Sequence, residues 1–205
     1  MSVKQWYSYL LERNVIEREI DEDGRRELVP CKVEERDPAA PWSESYRLSR
    51  LKGISPQSKS FNFKLIHTLL PSKERVHHLN PNLSPLCWCN SGEEENYLHV
   101  FYICRHNQEA ADALLRCVRS YDSDLTASKS LTFRMKTEGC FEMASVSLLS
   151  VGLELIWNNR LQKKSTSVIT MRSELECATI LRRKSRNPKI KETGDIMLNM
   201  IANFF

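Results

Sequence analysis

Three thiols and one imidazole fall close together in this chain: Cys87, Cys89, His99 and Cys104, in the order Cys-x-Cys, nine residues, His, four residues, Cys. Three sulfurs and a nitrogen match the tetrahedral donor set of a structural zinc ion. A Ser91-Gly92 turn can fold the two halves of the stretch back on each other. His106 is a reserve ligand. On an ideal α-helix a five-residue step leaves His99 and Cys104 about 140° apart, so one of them has to stand where a helix starts or ends. The competing reading of the four is a reduced hairpin packed by Trp88, Leu98 and Phe101.

No other constellation points to catalysis. Cys31, Cys117, Cys140 and Cys177 are scattered and read as core or surface thiols, and His67, His77 and His78 have no Ser or Cys partner at a recognisable spacing. Asp21-Glu-Asp23-Gly24 resembles the start of a calcium loop, but Lys32 stands where the bidentate Glu belongs, so a solvated turn is the better reading. Asp122 and Asp124 are an isolated acidic pair.

Charge is distributed unevenly along the 205 residues, whose net charge is +4. Met1 to Tyr46 carries 7 Lys/Arg against 11 Asp/Glu, whereas Asn158 to Lys191 carries 10 against 2. The basic run consists of Arg160, Lys163, Lys164, Arg172, Arg182, Arg183, Lys184, Arg186, Lys189 and Lys191. It suggests an anionic partner, nucleic acid before membrane, held mainly through phosphate and therefore salt-dependent. A solvated helix face is the structural alternative, and Arg182-Arg-Lys-Ser-Arg186 also fits a nuclear-import signal. Glu93-Glu94-Glu95 speaks against the Cys/His face itself gripping phosphate.

Low glycine with prominent Leu, Glu, Lys and Arg predicts a mainly helical protein. Ser2 caps a first amphipathic helix bearing Val3, Trp6, Tyr7, Leu10 and Leu11, followed by a charged, proline-dotted linker from Glu19 to Pro41. Trp42 and Ser43 start a short helix with Tyr46 and Leu48. Ser55-Pro56 opens a helix whose buried stripe is Phe61, Leu65, Ile66, Leu69 and Leu70. Ser72 caps another from Lys73 to Leu79. Beyond the Cys87 segment, helices are expected over His106 to Ser120, Phe141 to Gln162 (the central core helix), Ser165 to Arg186 and Ile196 to Phe205. Tyr121 to Thr132 reads as a polar loop, and Asn187-Pro188 as a break. The basic helix should turn Ile169, Leu175, Ala178, Ile180 and Leu181 inward. Three segments follow: 1–41, 42–106 with the metal stretch, and the basic 107–205. The N-terminus lacks the apolar core of a signal peptide and no run of 18 apolar residues occurs, so an intracellular, reduced setting without a membrane span is expected.

In order and spacing, these features resemble the region downstream of the polymerase core in non-LTR (LINE-type) retrotransposon reverse transcriptases. The resemblance rests on Arg47-Leu-Ser-Arg-Leu-Lys-Gly-Ile-Ser-Pro56, Ser60-Phe61-x-Phe63-Lys-Leu-Ile-His67 and Leu70-Pro-Ser-Lys-Glu-Arg-Val-His77. The Cys/His set, Ile156-Trp-Asn-Asn-Arg160 and Leu181-Arg-Arg-Lys-Ser-Arg186 complete it, over roughly Trp42 to Lys191. It implies a zinc-binding segment between helical halves, RNA or DNA contact by the basic helices, and the polymerase core of a parent polyprotein as partner. This chain departs from the family in having Cys-x-Cys where Cys-x2-Cys is usual. It also has no Tyr/Phe-x-Asp-Asp of a polymerase palm. The expectation is an all-α protein with a small zinc-knuckle-like hairpin between two helical halves. It is a nuclear or cytoplasmic accessory region and not itself an enzyme. The alternative function is a helical protein-interaction module, with Phe204-Phe205 docking on a partner, or a retroelement fragment without catalytic activity.

Overall fold

The computed structural model describes Ser45, Arg47 and residues 53–134 and 139–205. The expected first helix, the charged linker and most of the short helix after Trp42 lie outside the described residues. The rest is α-helical, with no strand among the described residues. In chain order the helices are α1 (Pro56–Ile66), α2 (Lys73–Leu79), a five-residue π-turn (His99–Ile103), α3 (Gln108–Arg119), α4 (Ala127–Leu131), α5 (Gly139–Leu161), α6 (Val168–Arg183) and α7 (Pro188–Phe204).

Local chemistry explains most helix starts. Ser55, Ser72, Thr126, Ser167 and Asn187 each accept a backbone N–H of the first turn through the side-chain oxygen. Pro56 and Pro188 follow their caps directly, where the missing N–H leaves no donor unmet. Asn187-Pro188 therefore starts α7 eight residues before the expected Ile196, and the expected break is a cap. Likewise α1 ends at Ile66, short of Leu70, because Thr68 turns into the left-handed region at φ 53°. The expected loop after Tyr121 contains α4, and its flanking Leu125 and Phe133 are buried.

Helix α5 is the hub, packing against α1, α3, α6 and α7. One hydrophobic cluster runs from Ile54 to Ile201, so helices on both sides of the Cys87 segment share a core. By length and composition α5 could cross a membrane, but 61% of its most apolar window is buried against the protein. It also buries serines: Ser150 accepts from Asn62 Nδ2 at 2.9 Å and donates to the Val146 carbonyl at 2.7 Å.

The inward face of α6 differs from the expected one. Met171, Leu175 and Thr179, spaced four apart, are buried, whereas Ile169 is 81% and Leu181 72% exposed. Thr179 can be buried because its hydroxyl donates to the Leu175 carbonyl at 2.7 Å. Phe204 and Phe205, partly buried, pack against the chain's own core.

Candidate metal centre

Between α2 and the π-turn the chain reverses over Cys87–Glu93. The reversal is closed by Cys87 N–H to the Glu93 carbonyl and Glu95 N–H to the Pro85 carbonyl, both 2.9 Å, around a single antiparallel bridge between Leu86 and Glu94. Asn90 and Gly92 both take left-handed backbone, at φ 58° and 80°. Open space surrounds the position a Cβ would take on Gly92, so backbone conformation, not crowding, favours glycine there.

The fold brings the four expected donors together. Cys87, Cys89, His99 and Cys104 are all buried, and their ligand atoms lie within 4.8 Å of one another. Cys87 Sγ is 3.9 Å from Cys104 Sγ, and Cys89 Sγ is 3.4 Å from His99 Nε2. His106, the reserve ligand, stands outside this set. Its ring stacks on Trp88 at 3.9 Å and 3°, and its Nδ1 lies 2.9 Å from Ser165 Oγ.

Facing donors at His99 and Cys104 depend on the π-turn. Cys104 N–H donates to the His99 carbonyl at 2.7 Å, a five-residue hydrogen bond that widens the turn by one residue. It returns residue i+5 to the neighbourhood of residue i, which an α-helical turn would not do. The same turn buries Phe101, whose ring stacks on Trp157 of α5 at 6.0 Å. Tyr97 meets Trp157 edge-on at 6.5 Å, so the segment is anchored to the hub helix.

The glutamate run, read from sequence only as a negative patch, divides into separate roles. Glu93 Oε2 lies 2.7 Å from His99 Nδ1 and fixes the ring with Nε2 facing the thiols. Glu94 forms the bridge. Glu95 is fully buried; it accepts from Lys73 N–H at 3.0 Å and pairs with Arg160. A carboxylate six residues before His99 was the only signal for the first role, and nothing in the pattern separated Glu95 from its neighbours.

The thiols divide in character. Burial pushes Cys87 up to about 12 and raises Cys104, with Cys89 adding to both through its charge and side-chain hydrogen bond. Burial also opposes ionisation of Cys89, but hydrogen bonds from the Ser91 hydroxyl and backbone, Cys87 and His99 outweigh it and bring the thiol down to about 6. With its donors gathered, buried and oriented by a carboxylate, the cluster could hold a metal ion.

The ten cations of the basic run do not form one surface. Arg160 is nearly buried, paired with Glu95 and lying 4.5 Å over the Trp157 ring. Arg172 pairs with Glu176 and Arg183 with Asp195, at 2.8 and 2.7 Å. Arg182 turns inward and donates to the Ala178 carbonyl. Lys163 and Lys164 are exposed before α6, while Lys184, Arg186, Lys189 and Lys191 are exposed around the α6–α7 turn. Helix α6 has 16 residues, so the two groups are about 24 Å apart.

Comparison with protein-family models, with curated proteins and with solved structures gives no match to this chain.

Proposed function

We propose that Cys87, Cys89, His99 and Cys104 hold a structural zinc ion, and that the chain is a non-catalytic nucleic-acid-binding region. The proposed role is that of the segment following the polymerase core in non-LTR retrotransposon reverse transcriptases. The observation that carries the zinc reading is the donor geometry. With Zn–S near 2.3 Å and Zn–N near 2.05 Å, tetrahedral edges come to about 3.8 Å for S···S and about 3.6 Å for S···N. The 3.9 and 3.4 Å separations fit those edges. The sulfurs of the Cys-x-Cys pair lie within the same 4.8 Å that bounds the whole cluster. All four protein positions are filled, which suits a structural site and leaves none for substrate.

The ion's role is to pin the reversal at Cys87–Glu93 onto the π-turn and so fix the short knuckle on α5. From there the effect reaches the basic surface. Trp88, between the first two ligands, stacks on His106, and the His106 carbonyl accepts from Thr166 N–H at 2.9 Å. The metal therefore steadies the loop that presents Lys163 and Lys164. Those lysines and the group around the α6–α7 turn are the charges available for phosphate, in keeping with backbone contact to RNA or DNA.

The test is a salt titration of binding to single-stranded RNA and DNA. The proposal expects binding that falls linearly in log K against log salt; absence of binding even at low salt removes it. A second reading, docking of a protein such as the parent polymerase core, is favoured by the exposed Leu83, Leu86, Leu98 and Ile103 around the knuckle. Replacing exposed lysines would leave that interaction intact.

A further inference from the structure

A groove of about 530 Å³ opens where the α6–α7 turn meets the start of α1 and the middle of α5. Its walls include Ile54, Val151, Leu181 and Ile190, and its cations are Arg182 and Lys184; among the described residues no carboxylate lines it. The volume is in the range of small-molecule sites, which combine apolar walls with a few polar anchors.

Three features point to an anion. Arg182 gives one N–H to the Ala178 carbonyl, but its Nε is buried and has no acceptor. Burial also lowers the Arg182 pKa from its ordinary value, as expected of a cation short of a counter-charge. The carboxylates on this side are already engaged: Glu154 accepts from Ser58 Oγ at 2.6 Å, and Asp195 pairs with Arg183. Finally, the first turn of α7 holds no acidic residue but carries Lys189 and Lys191. Cations at a helix N-terminus oppose the positive end of its dipole, so they are not there for helix stability. An anion held in the groove beside Arg182 and Lys184 would supply the missing counter-charge.

We infer that this groove is a phosphate subsite that takes one nucleotide unit, with its phosphate on Arg182 and Lys184 and its base or sugar against Leu181 and Ile190. It rests on the nucleic-acid reading above and assigns that contact to the α6–α7 end rather than to Lys163 and Lys164. Guanidinium-to-phosphate hydrogen bonds are charge-assisted, and the apolar walls suit an unstacked base better than a paired one.

The full chain is titrated with three probes: a fluorescein-labelled single-stranded oligonucleotide, adenosine monophosphate and inorganic phosphate. Anisotropy reports the first, and the arginine Nε–H resonances in ¹H–¹⁵N spectra report all three. The expected result is a saturable shift of the Arg182 Nε–H with the oligonucleotide and the mononucleotide. Arg182→Gln and the exposed Lys184→Glu should each weaken oligonucleotide binding about tenfold, while Lys163→Ala with Lys164→Ala changes it less than about threefold. A response to inorganic phosphate equal to that with the mononucleotide overturns the nucleotide assignment. If oligonucleotide binds but only the Lys163/Lys164 variant weakens it, the groove is refuted and the nucleic-acid reading stands. If no oligonucleotide binds, that reading falls. The groove then stands or falls on the mononucleotide shift, and no shift overturns it. Lys184→Glu keeps the test decisive should Arg182→Gln fail to fold.

Discussion

The backbone N–H of Cys104 bonds to the carbonyl of His99 at 2.7 Å, and this one π-type hydrogen bond lets two residues five apart face the same point. Both side chains are buried there beside Cys87 and Cys89. A turn so wide is uncommon, because five-residue bonds replace the usual four-residue ladder. Here burial of Val100 and the stacking of Phe101 on Trp157 of the hub helix support it.

Glu93 orients His99 from a largely exposed position, its side chain 57% accessible, so it can be changed without disturbing the core. Glu93→Ala is expected to weaken metal binding about 10- to 100-fold while the fold is retained. Competition with a chromophoric chelator measures the affinity, and circular dichroism checks the fold.

Metal binding should release protons. Near pH 7 Cys89, at about 6, is mostly thiolate, whereas Cys87, at about 12, and Cys104, also raised, keep theirs. Loading therefore displaces about two protons per ion, and affinity rises as pH rises. In the metal-free protein the signs are opposite for the two types of thiol. The depressed Cys89 adds stability above the ordinary thiol pKa that is lost as pH falls through about 6. Raised Cys87 adds stability below the ordinary value that is lost as pH climbs toward about 12. Calorimetry in buffers of different ionisation enthalpy counts the protons; a pH-independent affinity between 6 and 8 would contradict this assignment.

The buried pair of Glu95 and Arg160 joins the metal segment to the C-terminal end of α5, with side chains 0% and 9% exposed. Removing one partner strands the other's charge, so Arg160→Met should cost about 3–5 kcal/mol in a denaturant melt. Glu95→Gln combined with Arg160→Met should cost less than Arg160→Met alone.

Gly194 marks a close approach of α7 to α6. A Cβ there would meet the Arg183 backbone nitrogen at 3.0 Å and Arg183 Cγ at 2.8 Å. Gly194→Ala is therefore expected to destabilise by about 1–3 kcal/mol despite alanine's higher helix propensity. Thermal unfolding followed by circular dichroism measures this, and a rise in Tm would show that the two helices can separate freely.

Much of this arrangement was legible because local chemistry announces itself. Ser55-Pro56 and Ser72 specify helix starts by capping, the apolar breadth of α5 marks the hub, and the four donors stand out by type and spacing. The parts that were not legible depend on tertiary context. Asn187-Pro188 has the same chemistry at a helix start as at a break, and only the packing of α7 on α6 decides between them. Thr179 reads as polar until its hydroxyl bonds back to the Leu175 carbonyl, so the inward stripe was assigned to Ile169, Leu175, Ala178, Ile180 and Leu181, of which only Leu175 is buried. Arg160 looks like its neighbours in a basic run, and its pairing with Glu95 joins residues 65 positions apart. The π-turn could be inferred only as a conflict, since an α-helical step could not make His99 and Cys104 meet.

The most direct test of the central claim is elemental analysis of the purified full chain by inductively coupled plasma mass spectrometry, alongside Cys104→Ser. The account predicts about one zinc per wild-type chain, with most of it lost in the variant and thermal stability falling with it. A wild-type protein that is folded and free of metal, with the same melting temperature before and after zinc is added, would contradict it.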